Sequence, residues 1–73
     1  MKNIYKVKTE RVTADWGRFV GYDEEFVTTD NIAAVIEAAK TAIENRPTWW
    51  MTYGKGDDDR PNVTAEPLTI REA

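Results

Sequence analysis

Thr29-Asp30-Asn31-Ile32-Ala33-Ala34-Val35-Ile36-Glu37-Ala38-Ala39-Lys40-Thr41-Ala42-Ile43-Glu44-Asn45-Arg46-Pro47, residues 29–47, is the stretch that decides the fold. Ile32, Val35, Ile36, Ala39 and Ile43 recur at the spacing of one helical face, and Ala42 widens the stripe. Thr29 or Asp30 supplies the N-cap oxygen, and a carboxylate at 30 suits the positive end of a helix. The alanines at 33, 34, 38, 39 and 42 favour helix and permit close packing onto a sheet. Lys40 stands three residues after Glu37 and four before Glu44, so one exposed face carries compatible charges. Pro47 disfavours the helical conformation at the residue before it. The spacing predicts one helix over residues 30–45.

Working outward, the flanking segments read as strands. In residues 2–13, Tyr5, Val7 and Thr9 alternate with Lys6, Lys8 and Glu10, which is period 2. Ala14-Asp15-Trp16-Gly17 is a turn, with Gly17 able to take positive φ. Residues 18–28 read as a second strand, in which Val20, Tyr22 and Phe26 share one parity, interrupted by Glu24. The short connection makes the pair an antiparallel hairpin. Residues 48–54 read as a third strand, with Trp49, Met51 and Tyr53 on one side and Trp50 and Thr52 on the other. Residues 54–62 form a polar loop rich in breakers. Residues 63–71 read as a fourth strand, and Pro67 confines it to a sheet edge or a bulge. The expected fold is therefore α+β: a small twisted antiparallel sheet, β-β-α-β-β, with one amphipathic helix packed on one face.

The chain has 73 residues, which fits a single domain over 1–73 with a small core. Hydrophobic residues make up 41% of it and eight residues are aromatic, which suits a folded domain rather than a disordered one. It contains no Cys, His, Ser or Gln. That removes disulfides, thiol, serine and imidazole nucleophiles, and the usual ligands of structural zinc. No cofactor or metal is expected. The opening residues carry no apolar signal region, and no apolar run reaches about 20 residues, so the expected location is the cytoplasm, with no membrane partner. The expected state is a monomer.

Carboxylates are the only catalytic groups left. Asp23-Glu24-Glu25 lies on a strand, so Glu24 points away from its neighbours and the three cannot converge. A carboxylate-dependent hydrolase is therefore the remote alternative, because a glycosidase pair needs a cleft. Asp57-Asp58-Asp59 lacks the alternating ligands of a calcium loop, since Arg60 and Pro61 follow at once. Gly54 and Gly56 open no helix and make no phosphate loop.

The basic residues concentrate early. Residues 1–18 hold five basic against two acidic side chains, and residues 19–73 five against eleven. Lys6 and Lys8 share a strand face, Arg11 has the other parity, and Trp16 and Arg18 lie at the turn. The overall charge of −3 argues against autonomous nucleic-acid binding and leaves room for an auxiliary contact within a complex. Trp49 and Trp50, adjacent on a strand, point to opposite faces, so one of them is expected off the core. Lys6, Lys8, Arg11, Trp16, Arg18 and Trp50 are thus the expected partner-binding residues, since exposed Trp beside Arg is typical of binding hot spots.

The opening Met1-Lys2-Asn3-Ile4-Tyr5-Lys6-Val7-Lys8-Thr9-Glu10-Arg11-Val12, with the chain's length and element order, resembles small phage-encoded transcription regulators of the lytic Xanthomonas phage type. The resemblance implies a host-takeover protein without catalytic apparatus that binds the host bacterial RNA polymerase. It further implies inhibition of initiation at host promoters and promotion of terminator read-through (antitermination). The runner-up within this class is an anti-CRISPR-like inhibitor of a host defence complex, for which Asp23, Glu24, Glu25 and the acidic loop would imitate nucleic acid.

Overall fold

The computed structural model describes residues 3–14 and 17–68. Three strands, β1 (Asn3–Val12), β2 (Phe19–Thr29) and β3 (Val63–Pro67), form an antiparallel sheet in the order β2-β1-β3. One helix, α1 (Ile32–Glu44), lies between β2 and β3 in sequence. The architecture is α+β, as expected.

The pairing explains which side chains share a face. Tyr5, Val7 and Thr9 lie opposite Val27, Glu25 and Asp23 on β2, and opposite Pro67, Ala65 and Val63 on β3. These make the inner face, towards the helix. Ile32, Val35, Ile36, Ala39 and Ile43 pack there with Val7, Tyr53, Val63, Trp49, Val27 and Ala65. All five apolar helix positions read from the periodicity thus face the core. The cap differs: Asn31, not Thr29 or Asp30, accepts from the Ala34 N–H at 3.2 Å. Thr29 Oγ1 instead accepts from the Asn31 N–H, an Asx-like turn that sets the helix start two residues later than expected.

Two expected strands are corrected. Residues 48–54 do not form a strand. Trp49–Met51 is a 3-10 turn, entered through Thr48 at φ 53° and closed by bonds from the Thr52 and Tyr53 N–H groups to the Trp49 carbonyl. Tyr53 meets the sheet through an isolated bridge to Arg11, in which the Val12 N–H donates to the Thr52 carbonyl and the Gly54 N–H to the Glu10 carbonyl. The alternation of Trp49, Met51 and Tyr53 failed because left-handed Thr48 after Pro47 starts a tight turn, and a three-residue turn presents side chains around its axis. The fourth strand ends at Pro67 rather than 71, and residues 69–71 of that expectation lie outside the described residues. Pro67 closes the edge strand β3, where a missing N–H costs no ladder bond.

The loop between Tyr53 and β3 is pinned to the helix by charge. Arg60 donates to Glu37 Oε2 at 2.8 Å and to Glu44 Oε1 at 2.8 Å, and Lys40 donates to Asp58 Oδ2 at 2.8 Å. Glu37 and Glu44 therefore serve the loop and not Lys40, because a guanidinium fork satisfies two carboxylates at once. Their hydrogen bonds hold the Glu37 and Asp58 carboxyls below the ordinary 4.5 and 3.8, and Glu24, bonded to Lys6, is lowered likewise. A carboxylate whose folded-state value is lowered contributes stability that is complete above its unfolded value and lost as pH falls through the folded one. The urea midpoint is thus expected to be level at neutral pH, where no imidazole titrates, and to fall below about pH 4.5. Arg60→Met should flatten part of that acid limb. Superimposable pH profiles for the two proteins would refute the assignment to Arg60.

Gly54 is a second fixed point. Its N–H donates to the Glu10 carbonyl at 3.0 Å, and the Glu10 side chain lies across it to accept from Asn62 Nδ2 at 2.7 Å. A Cβ at 54 would overlap the Glu10 carboxyl group. Gly54→Ala is expected to displace that flexible side chain and cost about 1 kcal/mol through the lost bond. The penalty should shrink in the Glu10→Ala background. Equal penalties in both backgrounds, read by urea denaturation, would contradict the overlap.

Candidate functional site

One helix covers one side of the sheet, so the other side is left to solvent. Lys6, Lys8 and Glu10 of β1 lie opposite Phe26, Glu24 and Tyr22 of β2, and Lys6 also opposite Glu66 of β3. This outer face carries a row of aromatic rings along β2. Phe19 is 55% exposed, Tyr22 46% and Phe26 67%.

Phe19 reaches that row through an irregularity. Arg11 pairs with Gly21, but the next residue, Val12, pairs with Phe19, so Val20 is an extra residue in β2. Gly21 sits at φ 155°, a conformation that side chains rarely adopt. The bulge reverses the alternation beyond it and brings an odd-numbered ring beside an even-numbered one. The Phe19 and Tyr22 centroids are 5.2 Å apart, edge to face. The molecule measures 46 × 24 × 18 Å, and this end of the long hairpin extends past β3, whose pairing stops at Thr9.

The expected basic residues divide. Lys6 stands 2.7 Å from Glu24 and 3.9 Å from Glu66. Its hydrogen bond to Glu24, and then the charges of both carboxylates, raise its pKa. Arg11 donates to Asp23 Oδ2 at 2.8 Å and to the Thr52 carbonyl at 3.1 Å, and its guanidinium lies 4.6 Å from the Tyr53 ring centre. Both cations are thus engaged within the chain, Arg11 as a tie between the hairpin and the Trp49–Met51 turn. Lys8 stands 4.9 Å from the Tyr22 ring centre on the outer face, adding positive charge to the aromatic row. Arg18 is exposed at the hairpin end, where its N–H donates to Thr13 Oγ1. Trp16 lies outside the described residues.

Trp49 packs against the core and Trp50 is 55% exposed, as expected of that pair, although a tight turn and not strand alternation separates them. Trp50 lines a shallow depression with Val12, Gly17 and Lys55. Half-buried Val12, the register partner of Phe19, therefore stands between the row and the depression at Trp50.

Residues of the acidic clusters also have partners. Asp23 holds Arg11, Glu24 holds Lys6 and Asp58 holds Lys40, which removes much of the free negative charge that imitation of nucleic acid needs. Among the described residues no group of three or more Asp or Glu is placed to hold a metal ion. No described helix is long and apolar enough to cross a membrane.

Phe19, Tyr22 and Phe26 were not among the expected contacts. Their one available signal was the shared parity of Tyr22 and Phe26, read together with the single helix. This row of rings on the face left bare by α1 is the candidate site, and no protein-family model, curated protein or solved structure matches the chain that carries it.

Proposed function

We propose that the chain is a non-catalytic protein-binding module that docks through its outer sheet face on bacterial RNA polymerase. One observation carries the docking half: three large rings, each about half exposed or more, lie in one row on a strand. Single exposed apolar side chains are ordinary, whereas two touching rings, Phe19 and Tyr22, with a third, Phe26, beyond Glu24 on the same face, mark an interaction surface. Lys8 over Tyr22 adds the mixture of aromatic and cationic groups found in binding hot spots. With net charge −3, and Lys6 and Arg11 already engaged, the face suits a protein better than a phosphate backbone.

The polymerase half rests on the resemblance of the opening twelve residues to phage regulators of that enzyme. The mechanism is occlusion. A small rigid domain occupies a surface that initiation or termination factors need, lowering initiation and raising terminator read-through. The setting is the host bacterial cytoplasm.

Purified polymerase, immobilised chain and a transcription template with a promoter and a terminator test the reading directly. Expected are retention of polymerase, fewer initiated transcripts and more read-through. Absence of binding at micromolar concentrations would overturn the choice of partner. Retention of a defence complex from lysate, and not polymerase, would favour the anti-CRISPR-like alternative.

A further inference from the structure

We infer that β2 is the receiving edge for an extended segment of the partner in which basic residues alternate with apolar ones. This rests on the reading of the chain as a protein-binding module and names the chemistry of what it binds. β2 is an outer strand of the sheet and eleven residues long. Every second residue of such a strand turns its N–H and C=O away from its neighbour. Among the described residues, no backbone group outside β1 bonds to the backbone of residues 19–29. The strand contains no Pro, Lys or Arg, and what guards its open edge is its three acidic residues and the bulge before Gly21. The opposite edge, β3, has five residues and ends in Pro67.

Charge decides the occupant. Asp23, Glu24 and Glu25 occupy the middle of β2. A second copy pairing antiparallel about Glu24 would set Glu24 against itself and Asp23 against Glu25, and like charges directly opposite are destabilising. Within the triplet Asp23 and Glu24 are held by Arg11 and Lys6, and Glu25 is the carboxylate that attracts a basic strand.

The two faces then specify the alternation. On the inner side, α1 leaves the Asp23–Glu25 stretch of β2 uncovered, and a groove of about 200 Å³ opens there. Val7, Ile43 and Tyr53 give it an apolar wall, and Asp23 and Glu25 line it with carboxylates. A Lys or Arg from an added strand fits such a groove, its stem on the apolar wall and its head at the acids. Glu25 enters no ion pair among the described residues. On the outer side, the next residues of the added strand meet Tyr22 and Phe26, which favour apolar cross-strand neighbours.

A blocked nine-residue peptide alternating valine with arginine is the probe, with a valine–glutamate peptide as control. Amide exchange and calorimetric titration are the measurements. The arginine peptide is expected to bind, to slow exchange within residues 19–29, and to lose about tenfold in affinity with Glu25→Lys. Glu25→Gln, which adds no charge, should lose less. Equal binding of the glutamate peptide, or no protection in β2, would overturn the inference. So would concentration-dependent dimerisation that protects β2 without peptide. Unprotected β2 amides in a polymerase complex would overturn it while leaving the docking face standing. Peptide binding at β2 without polymerase binding would support it and remove only the polymerase.

Discussion

Tyr53→Ala is expected to remove a large share of the domain's stability and to lower its urea midpoint sharply. Among the described residues, the buried core consists of Val7, Ile43, Tyr53 and Val63, and Tyr53 is the largest of them. It joins parts that have little else in common. Its ring packs with strand and helix side chains, its backbone bridges Arg11, and its hydroxyl accepts from Arg46 Nη1 at 3.0 Å. The Arg11 and Arg46 guanidinium groups lie 4.6 and 5.7 Å from its centre. Truncating a buried aromatic side chain costs about 3–5 kcal/mol. A domain of this size has roughly 4–11 kcal/mol in total. Tyr53→Phe keeps the ring and both cation contacts and loses one hydrogen bond, so about 1 kcal/mol is expected. Circular dichroism against urea separates the two. An alanine variant with the wild-type midpoint would mean that the helix and sheet hold together without this ring.

Much of this core was legible in the sequence. The helix announced itself through Ile32, Val35, Ile36, Ala39 and Ile43, whose spacing no strand could use, and the hairpin through the period of Tyr5, Val7 and Thr9. Where the reading failed, a local signal was overridden by a longer contact. Trp49, Met51 and Tyr53 alternate like a strand, but left-handed Thr48 and the bridge from Tyr53 to Arg11 make the segment a turn. Lys6 and Arg11 looked available because their partners, Glu24 and Asp23, meet them only once the hairpin register is set. Arg60 entered the sequence reading only as a break in a calcium-loop pattern, yet it closes on Glu37 and Glu44, 23 and 16 residues away. The site was hidden for the same reason. Phe19 has the wrong parity for the outer face, and only the bulge at Gly21 puts it there.

Tyr22→Thr combined with Phe26→Thr is expected to remove partner binding while leaving the fold intact. Both rings are on the outer face, and neither belongs to the core cluster. Threonine keeps the strand preference that serine would give up, so the backbone has no reason to change. Within the chain, the changes remove the contact of Lys8 with Tyr22 and the edge-to-face packing of Phe19, each worth roughly 1 kcal/mol or less at an exposed position. At an interface the same rings count for more. An aromatic hot spot costs about 2 kcal/mol or more when truncated, so the pair should weaken binding by more than about a hundredfold. Tyr22→Phe, which preserves the ring, should bind nearly as well as the wild type. The decisive comparison is polymerase retention by the folded double variant beside its thermal midpoint. Unchanged retention with an unchanged midpoint would show that the partner does not dock on this face. Lost retention with an unchanged midpoint would assign docking to the side of the sheet that one helix is too few to cover.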